Sequence, residues 1–274
     1  ALEKACENKN IYDVILEDDC MERGVTREES EKKMADLYAA IQHSAQNYTP
    51  TLRSASGMAG GDGAKMRSYV KAGKTICGDE LGQVIAQALE MGENNACMKC
   101  IVAAPTAGAC GILPGCLLTV AEKHDIPHQQ VLEALATASG IGQLIVKKAT
   151  VSGAEGGCQA ECGTAAGMAA AALTQLYGGS PEAAAHACAF ALMNTLGLVC
   201  DPVGGLVEVP CVYRNVGGVS QAVSAAQLAL SGVACPIPLD EMILTMRDVG
   251  DAMPSSLRET GEGGCAACHA CRRN

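Results

Sequence analysis

Three cysteines at breaks in the helical pattern are the residues of this sequence best suited to inorganic chemistry. The segment GAEGGCQAECG at 153–163 contains Cys158 and Cys162, and by itself it fits a disulfide, a metal site, a catalytic thiol or core packing equally well. Cys158 follows a glycine pair, Cys200 precedes an Asp-Pro step and Cys211 follows a proline. Cysteines at three such breaks can converge on one inorganic centre.

The chain carries sixteen cysteines, and most of them are expected to be unreactive. Cys97, Cys100, Cys116 and Cys188 lie in apolar segments of predicted helix, where a buried inert thiol is the better interpretation. Residues 1–24 are too acidic for a signal peptide. We therefore expect a reducing cytoplasm, where thiols persist as core residues, metal ligands or redox groups.

Three glycine-rich breaks stand where helices begin, in SASGMAGGDGAKM (54–66), PTAGACG (105–111) and SGAEGGCQAECG (152–163). Backbone N–H groups at a helix start attract anions, so these breaks are candidate sites for a small carboxylate. The alternative is that glycine and alanine only let helices pack closely, and for any one break that alternative is favoured. No phosphate-binding loop and no serine-hydrolase elbow is present.

The charge and composition exclude two classes of partner. The net charge of −10 disfavours a nucleic acid, since binding phosphates requires clustered Lys and Arg. One Phe, six Tyr and no Trp leave little surface for stacking bases. No uninterrupted apolar run of about eighteen residues predicts a membrane span.

The pattern of apolar segments predicts an all-α fold: a single helical domain with apolar central helices. The candidate inorganic centre would lie at helix ends and loops, where the three cysteines stand. Thr26 and Glu29 form a capping-box signature at the start of a long helix. Helical segments of Ala, Leu, Ile, Val and Met follow, and NACMKCIVAA at 95–104 is among them. VGGLVEVPCVY is the best β-type run, but Gly and Pro break it. The segment GTAAGMAAAAL is apolar on nearly every face, which predicts a central helix surrounded by others.

We divide the chain into an N-terminal lead segment (1–25), an all-α catalytic domain (26–258) and a flexible cysteine-rich C-terminal tail (259–274). The tail sequence RETGEGGCAACHACRRN is polar, rich in glycine and without helical period. Its C-x-x-C-H string matches the attachment motif for c-type haem, but attachment normally follows export. A second cluster, a zinc site and a reduced flexible tail remain as alternatives.

Several long motifs in one order resemble the α chain of bacterial iron–sulfur L-serine dehydratase (L-serine deaminase). These are SGMAGGDGAKM, PTAGACGILPG, GAEGGCQAECGTAAGMA and GLVCDPVGGLVEVPC, together with the intervals from Cys158 to Cys200 and Cys211. The resemblance covers roughly residues 25–260.

The resemblance implies a [4Fe-4S] cluster held by Cys158, Cys200 and Cys211, with one iron lacking a protein thiolate. L-serine would bind that iron through its carboxylate and β-hydroxyl, so that the metal acts as a Lewis acid without pyridoxal phosphate. β-Elimination of water would give pyruvate and ammonia, which is amino-acid degradation that can feed gluconeogenesis. The resemblance also implies an oxygen-sensitive enzyme and a separate β subunit as partner.

Family motif and helix-start chemistry together select the substrate-binding candidates, which are Ser56, Gly57, Gly61, Asp62, Gly63, Thr106, Ala107, Gly108, Ser152 and Gly153. Lys65 is the candidate general base, although a solvated or ion-paired role fits it as well. Among the histidines, His124 and His128 look solvated, and His186 looks like a core residue. Groups completing the site would then come from the β chain. In some relatives a terminal cysteine caps the open iron, but the tail of this chain departs from that pattern.

Two other functions compete with serine deamination. The first is an iron–sulfur electron carrier, which would need a fourth thiolate and reversible redox cycling without turnover. The second is a related lyase that acts on L-threonine or L-cysteine. The sequence does not rank those substrates beyond the preference for serine that the resemblance implies.

Overall fold

A computed structural model of the chain describes Cys6 and residues 9–271, and the regular secondary structure of this part is helical. In the described residues the β-type contact is one isolated bridge, between Cys200 and Arg258. The all-α prediction is therefore confirmed.

Eleven α-helices lie within the described residues. They are α1 (Ile11–Arg23), α2 (Arg27–Gln46), α3 (Asp62–Lys71), α4 (Gly78–Ala96), α5 (Ile112–Lys123), α6 (His128–Lys148), α7 (Gly153–Gly156), α8 (Thr164–Leu176), α9 (Pro181–Thr195), α10 (Cys211–Leu230) and α11 (Leu239–Ala252). A π-helical turn, Gln159–Gly163, leads directly into α8. Short 3-10 turns occur at Val203–Gly205, Ser255–Leu257 and Gly264–Ala267.

The first two helices show what local sequence signals did and did not reveal. Thr26 caps α2, since its hydroxyl accepts from the Glu29 N–H and the Glu29 carboxylate accepts from the Thr26 N–H. This confirms the predicted capping box. Helix α1 falls in the predicted lead segment and was not predicted. Its Tyr12 and Leu16 pack with Ala136 of α6 in a small hydrophobic cluster separate from the main core. Residues 1–5 and 7–8 lie outside the described part.

Helix α8 is the centre of the fold, and it packs against α5, α6, α9 and α10. Its residues from Thr164 to Thr174 are all buried, and most of them are Ala or Gly. Small side chains let the neighbouring helix backbones approach closely, and burial on every face removes the need for a polar stripe. The prediction of a central helix ringed by others is confirmed.

The segment 95–104 was expected to be helical, and this prediction is wrong. Helix α4 ends at Ala96, and Met98 has a left-handed φ of 59°. The Lys99 N–H donates to the Asn94 carbonyl, which closes the helix end as a cap. Pro105 also disfavours helical backbone just before it. Apolar composition alone did not reveal this stop.

Of the four cysteines that the sequence analysis assigned to helices, two lie in helices and two do not. Cys97 is half-buried and Cys100 is exposed, both in the irregular segment after α4, so their helical assignment is wrong. Cys116 in α5 and Cys188 in α9 are fully buried, as predicted. Burial raises the pKa of each of these two thiols to about 12, which makes them inert.

Helix α10 begins at Cys211, inside the run that the sequence marks as its best β-type segment. The β-type run VGGLVEVPCVY therefore divides at Pro210 into a turn and the first turn of α10. Among the described residues, no helix combines the length and the apolar character needed to cross a bilayer.

Candidate metal centre

Cys158, Cys200 and Cys211 enter one buried region from three different parts of the chain. Cys158 immediately precedes the π-helical turn, Cys200 follows α9 and Cys211 is the first residue of α10. Cys158 and Cys200 are 3% and 4% exposed, and Cys211 is partly buried. Charges on Cys158 and Cys211 both raise the pKa of the Cys200 thiol, so the three sulfurs lie within electrostatic reach of one another.

Burial is the largest cause of the raised pKa values of Cys200 and Cys211, and for Cys211 the value is about 12. Cys158 behaves differently. Its Sγ lies 3.3 Å from the Sγ of Cys162, and this hydrogen bond is the largest cause of its lowered pKa. The same hydrogen bond and burial raise the pKa of Cys162 well above its ordinary value. Cys158 is therefore the sulfur of this region that ionises most readily.

Arg214 brings a positive charge to the cysteines. It lies one helical turn after Cys211 on α10, and its charge helps to lower the pKa of Cys158. Its guanidinium donates to the Val199 carbonyl at 2.6 Å and pairs with the Asp201 carboxylate at 2.6 Å. Both side chains of this ion pair are largely buried, so Arg214 is fixed in place. Sequence reasoning missed Arg214, although its spacing from Cys211 on a helix was an available signal.

Glu161 lies at the meeting point of two predicted substrate loops and a cysteine. The Thr106 hydroxyl donates to the Glu161 carboxylate at 2.6 Å, and the Cys200 Sγ lies 3.9 Å from its other oxygen. A Cβ on Gly153 would lie 2.3 Å from that oxygen and 2.9 Å from the Cys200 Sγ. A Cβ on Gly108 would also approach the carboxylate, at 3.2 Å. Glycine is thus needed at 153 because the carboxylate and the sulfur occupy that space.

Burial is also the main cause that raises the pKa of Glu161, and the Thr106 hydroxyl opposes it. A partly buried carboxyl beside thiols and a threonine hydroxyl is a group that can orient a polar ligand or exchange a proton with it. Sequence reasoning missed this residue, because nothing in GAEGGCQAECG distinguishes Glu161 from the neighbouring Glu155.

The loop at residues 54–61 is fastened to the start of α10 by a second buried acid. Ser54 and Ser56 both donate their hydroxyls to Glu208, at 2.6 and 2.5 Å. Glu208 is buried and stands three residues before Cys211. Ser56 was predicted to bind substrate; in this structure its hydroxyl binds Glu208, so it positions the loop beside the cysteine region.

A third buried acid occupies the N-terminus of α3. The Asp62 N–H donates to the Glu93 carboxylate at 2.6 Å, the Gly63 N–H is 3.3 Å away, and the Tyr48 hydroxyl donates at 2.5 Å. Glu93 is 2% exposed. The two N–H groups expected to receive a substrate carboxylate therefore bind a carboxylate of the protein itself. The assignment of a substrate carboxylate to this break stays a prediction, and in this structure the acceptor at the start of α3 is Glu93.

Lys65 lies at the surface, with a side chain that is 75% exposed. Its ammonium group pairs with Asp62 at 2.7 Å, and the Tyr213 hydroxyl donates to the other oxygen of Asp62 at 2.8 Å. This is the ion-paired role that was weighed against a catalytic one. Asp62 in turn connects α3 to α10 through Tyr213.

Asn215, which is fully buried, fastens the 105–111 loop to α10. Its side-chain oxygen accepts from the Gly111 N–H at 2.8 Å, and its amide nitrogen donates to the Gly108 carbonyl at 2.9 Å. The amide also donates to the carbonyl of Cys211 at 2.9 Å. One side chain therefore sets the position of a predicted substrate loop relative to a predicted metal ligand.

The C-terminal segment packs against the same region. The Cys200 N–H donates to the Leu257 carbonyl at 2.9 Å, and the Glu259 N–H donates to the Cys200 carbonyl at 2.7 Å. The Cys265 N–H donates to the Asp201 carboxylate at 2.6 Å. The described part of the predicted tail thus forms one wall of the site; the division into three segments stays a prediction.

The donor set fits an iron–sulfur cluster. Soft thiolates are the ligands that such clusters prefer, and two buried cysteines and one partly buried cysteine stand here beside the positive charge of Arg214. In the described part of the chain, no group of three or more His, Cys, Asp and Glu side chains is gathered closely enough to hold a metal ion. A cluster differs from a single ion, since each thiolate would bind a different iron.

Comparison with known proteins agrees with the resemblance. The family model described as "Serine dehydratase alpha chain" matches residues 6–266. The L-serine dehydratase α chain of Peptoniphilus asaccharolyticus is 45% identical over 257 residues, covering 93% of this chain and 88% of that protein. The probable L-serine dehydratase α chain of Bacillus subtilis is 43% identical, covering 94% and 86%.

A third relative has a different length. The L-serine dehydratase TdcG of Escherichia coli is 42% identical over 181 residues, which are 65% of this chain but 40% of that protein. The match to the family model and the two α chains extends over nearly the whole sequence, through every segment that contributes to the cysteine region. This chain belongs to the serine dehydratase α-chain family.

Proposed function

We propose that this chain is the α subunit of an iron–sulfur L-serine dehydratase, an L-serine ammonia-lyase that forms pyruvate and ammonia. The observation that carries the proposal is the meeting of Cys158, Cys200 and Cys211 with Glu161 and Thr106 in one buried region. The two α chains that this sequence matches over most of their length are named as L-serine dehydratase chains, one of them as probable, and these names support the same reaction.

In this proposal, Cys158, Cys200 and Cys211 hold a [4Fe-4S] cluster. When bound, the cluster would supply a Lewis acid that favours departure of the β-hydroxyl of serine as hydroxide. Arg214 would balance the negative charge of the thiolates; after the hydrogen bond with Cys162, its charge is a further cause that lowers the pKa of Cys158. The buried Asp201 partner holds Arg214 in that position.

The substrate carboxylate is assigned to the loop at 106–111 and, as a weaker choice, to Ser152 and Gly153. The α3 N-terminus is a poorer candidate than the sequence predicted, because Glu93 already accepts from the Asp62 and Gly63 N–H groups. Gly57 and Gly61 stay in the proposal as residues that shape the neighbouring loop. Thr106 and Glu161 form the polar pair against which the substrate is oriented.

The last role to assign is that of the base that accepts the α-proton of serine. Lys65 stays the proposed base of this chain, and in this role its ion pair with Asp62 must open. Because Lys65 is exposed, we keep the alternative that a residue of the β subunit takes the α-proton of serine. The proposal therefore includes a separate β chain as partner and the cytoplasm as compartment, where a cluster with an exposed iron is protected from oxidants.

An anaerobic preparation of this chain, with and without a β chain, tests the proposal. We expect iron and acid-labile sulfide in the purified protein, and pyruvate formation from L-serine in preference to L-threonine or L-cysteine. Activity should decay in air and return with iron and reductant. A protein without iron, or one that forms no pyruvate after cluster reconstitution, would refute the assignment.

The ligand set is tested by replacing each cysteine separately. Cys158→Ala, Cys200→Ala and Cys211→Ala should each reduce the iron content. Cys116→Ala is the matched control, because Cys116 is fully buried within α5. If the control lost as much iron as the other three variants, the loss would reflect general destabilisation and the three ligands would be unsupported.

A further inference from the structure

The C-terminal segment brings two cysteine side chains into contact outside the cysteine region described above. Cys265, Cys268 and Cys271 are spaced three residues apart, and the Sγ atoms of Cys268 and Cys271 are 2.7 Å apart. Cys268 is exposed and Cys271 is partly exposed, so small reagents in solution can reach the pair.

Local backbone turns hold this pair together. The Cys268 N–H donates to the Cys265 carbonyl, and the Cys271 N–H donates to the Cys268 carbonyl, each at 3.1 Å. The Cys271 N–H also lies 3.3 Å from the Cys268 Sγ, to which it donates. A pair preorganised in this way loses little additional entropy when its sulfurs bond.

The two sulfurs differ in their surroundings. Donation from a backbone N–H stabilises a thiolate on Cys268. The hydrogen bond between the two thiols is the largest cause that raises the pKa of Cys271. Cys268 is therefore the better nucleophile and Cys271 the resolving thiol.

The neighbouring cysteines do not share this arrangement. Burial is the largest cause that raises the pKa of the Cys265 thiol, and the Asp201 carboxylate raises it further. Cys97 and Cys100 have the same C-x-x-C spacing as Cys268 and Cys271, but within the described residues no hydrogen bond joins their sulfurs. Spacing alone therefore does not produce the contact.

We propose that Cys268 and Cys271 form a reversible dithiol–disulfide centre that reacts with hydroperoxides. The Cys268 thiolate attacks one peroxide oxygen; an S–O bond forms, the O–O bond breaks, and the other oxygen leaves as alcohol or water after taking a proton. Cys271 then attacks the sulfenic sulfur, so that an S–S bond forms, the S–O bond breaks and water leaves. Two thiols lose two electrons and two protons, and one hydroperoxide becomes one alcohol and one water.

This centre is independent of the proposed dehydratase activity, although it is anchored to the same region. Cys268 lies three positions after Cys265, whose N–H binds Asp201, the ion-pair partner of Arg214. Oxidation would therefore change the covalent structure of a segment that covers the site. The chemistry of the pair itself requires neither a cluster nor a substrate.

The test measures disulfide formation in the full chain by mass spectrometry. The protein is reduced anaerobically, treated with hydrogen peroxide in graded amounts, quenched with a maleimide and digested with trypsin. Cleavage after Arg258 and Arg272 releases one peptide, 259–272, that contains the three C-terminal cysteines. We expect this peptide to lose two hydrogens and to carry one maleimide, on Cys265, and to regain all three maleimides after reduction.

The chain supplies its own matched control. Cleavage at Lys99 separates Cys97 from Cys100, so a disulfide between them would join two peptides, 75–99 and 100–123. The preorganised pair should oxidise at least about tenfold faster than this equally spaced pair. Equal rates would overturn the proposal, because the contact in the structure would then confer no reactivity.

Two variants identify the partners. Cys265→Ser should leave the disulfide in peptide 259–272, whereas Cys271→Ser should abolish it and leave Cys268 oxidised to acids or mixed disulfides. If Cys271→Ser still formed a disulfide within this peptide at the original rate, Cys265 and not Cys271 would be the partner of Cys268. That result would refute the assignment whether or not the protein deaminates serine.

Discussion

Replacement of Asn215 by alanine is the most direct test of how the site is assembled. The buried Asn215 amide accepts from the Gly111 N–H at 2.8 Å and donates to the Gly108 carbonyl at 2.9 Å. In Asn215→Ala both backbone groups lose this partner in the interior, where water does not replace it. The 105–111 loop should then separate from the start of α10.

The magnitude follows from these two groups. Each buried polar group left without a partner costs about 1–3 kcal/mol, so we expect the free energy of unfolding to fall by about 3 kcal/mol. With a urea slope of about 3 kcal/mol/M, the unfolding midpoint should fall by about 1 M. Asn215→Asp should be no better, because it keeps the acceptor but turns a carboxylate oxygen toward two carbonyls.

Urea unfolding followed by circular dichroism measures the midpoint, and hydrogen exchange of the Gly111 amide reports the local bond. Asn194→Ala is the control, since Asn194 is exposed and its amide bonds only to the Phe190 carbonyl within α9. The control should change the stability by less than about 0.5 kcal/mol. A midpoint for Asn215→Ala equal to that of the control, with unchanged exchange at Gly111, would refute this account of the loop.

Three further predictions concern Gly153, Glu93 and Thr106. Gly153→Ala should destabilise the fold by about 1–3 kcal/mol and reduce the iron content, because its Cβ would meet Glu161 and Cys200. The control is Gly217→Ala on α10, where the added Cβ enters open space. In the same urea and iron assays, this control should be neutral or stabilising. Glu93→Gln should lower stability by about 1–2 kcal/mol, read from the urea midpoint, because the α3 N-terminus loses its charged acceptor; an unchanged midpoint would show that the charge is dispensable. Thr106→Val should raise the KM for L-serine at normal iron content, and unaltered kinetics would remove the Thr106 hydroxyl from the substrate site.

The sequence predicted those features that depend on short-range chemistry. Helix α8 was identified by its composition, because a helix without a polar face must be buried. The start of α2 was identified by Thr26 and Glu29, whose reciprocal hydrogen bonds span three residues. The family was identified from motifs that lie far apart but occur in one order.

The features that the sequence did not predict depend on contacts between distant segments. Glu93, Glu161 and Glu208 each stand in ordinary surroundings along the chain, and each becomes important only because a loop from elsewhere donates to it. The end of α4 was missed for a related reason. Residues after Ala96 are apolar enough for a helix, but the left-handed Met98 closes it.

The backbone of Cys200 is held on both sides by residues close to the C-terminus. Its N–H binds the Leu257 carbonyl and its carbonyl receives the Glu259 N–H, while the next residue, Asp201, receives the Cys265 N–H. During synthesis, Cys158, Cys200 and Cys211 leave the ribosome long before these partners do. If the chain binds a cluster as we propose, insertion into the finished pocket would therefore come late, after the ribosome has released the segment that closes the wall.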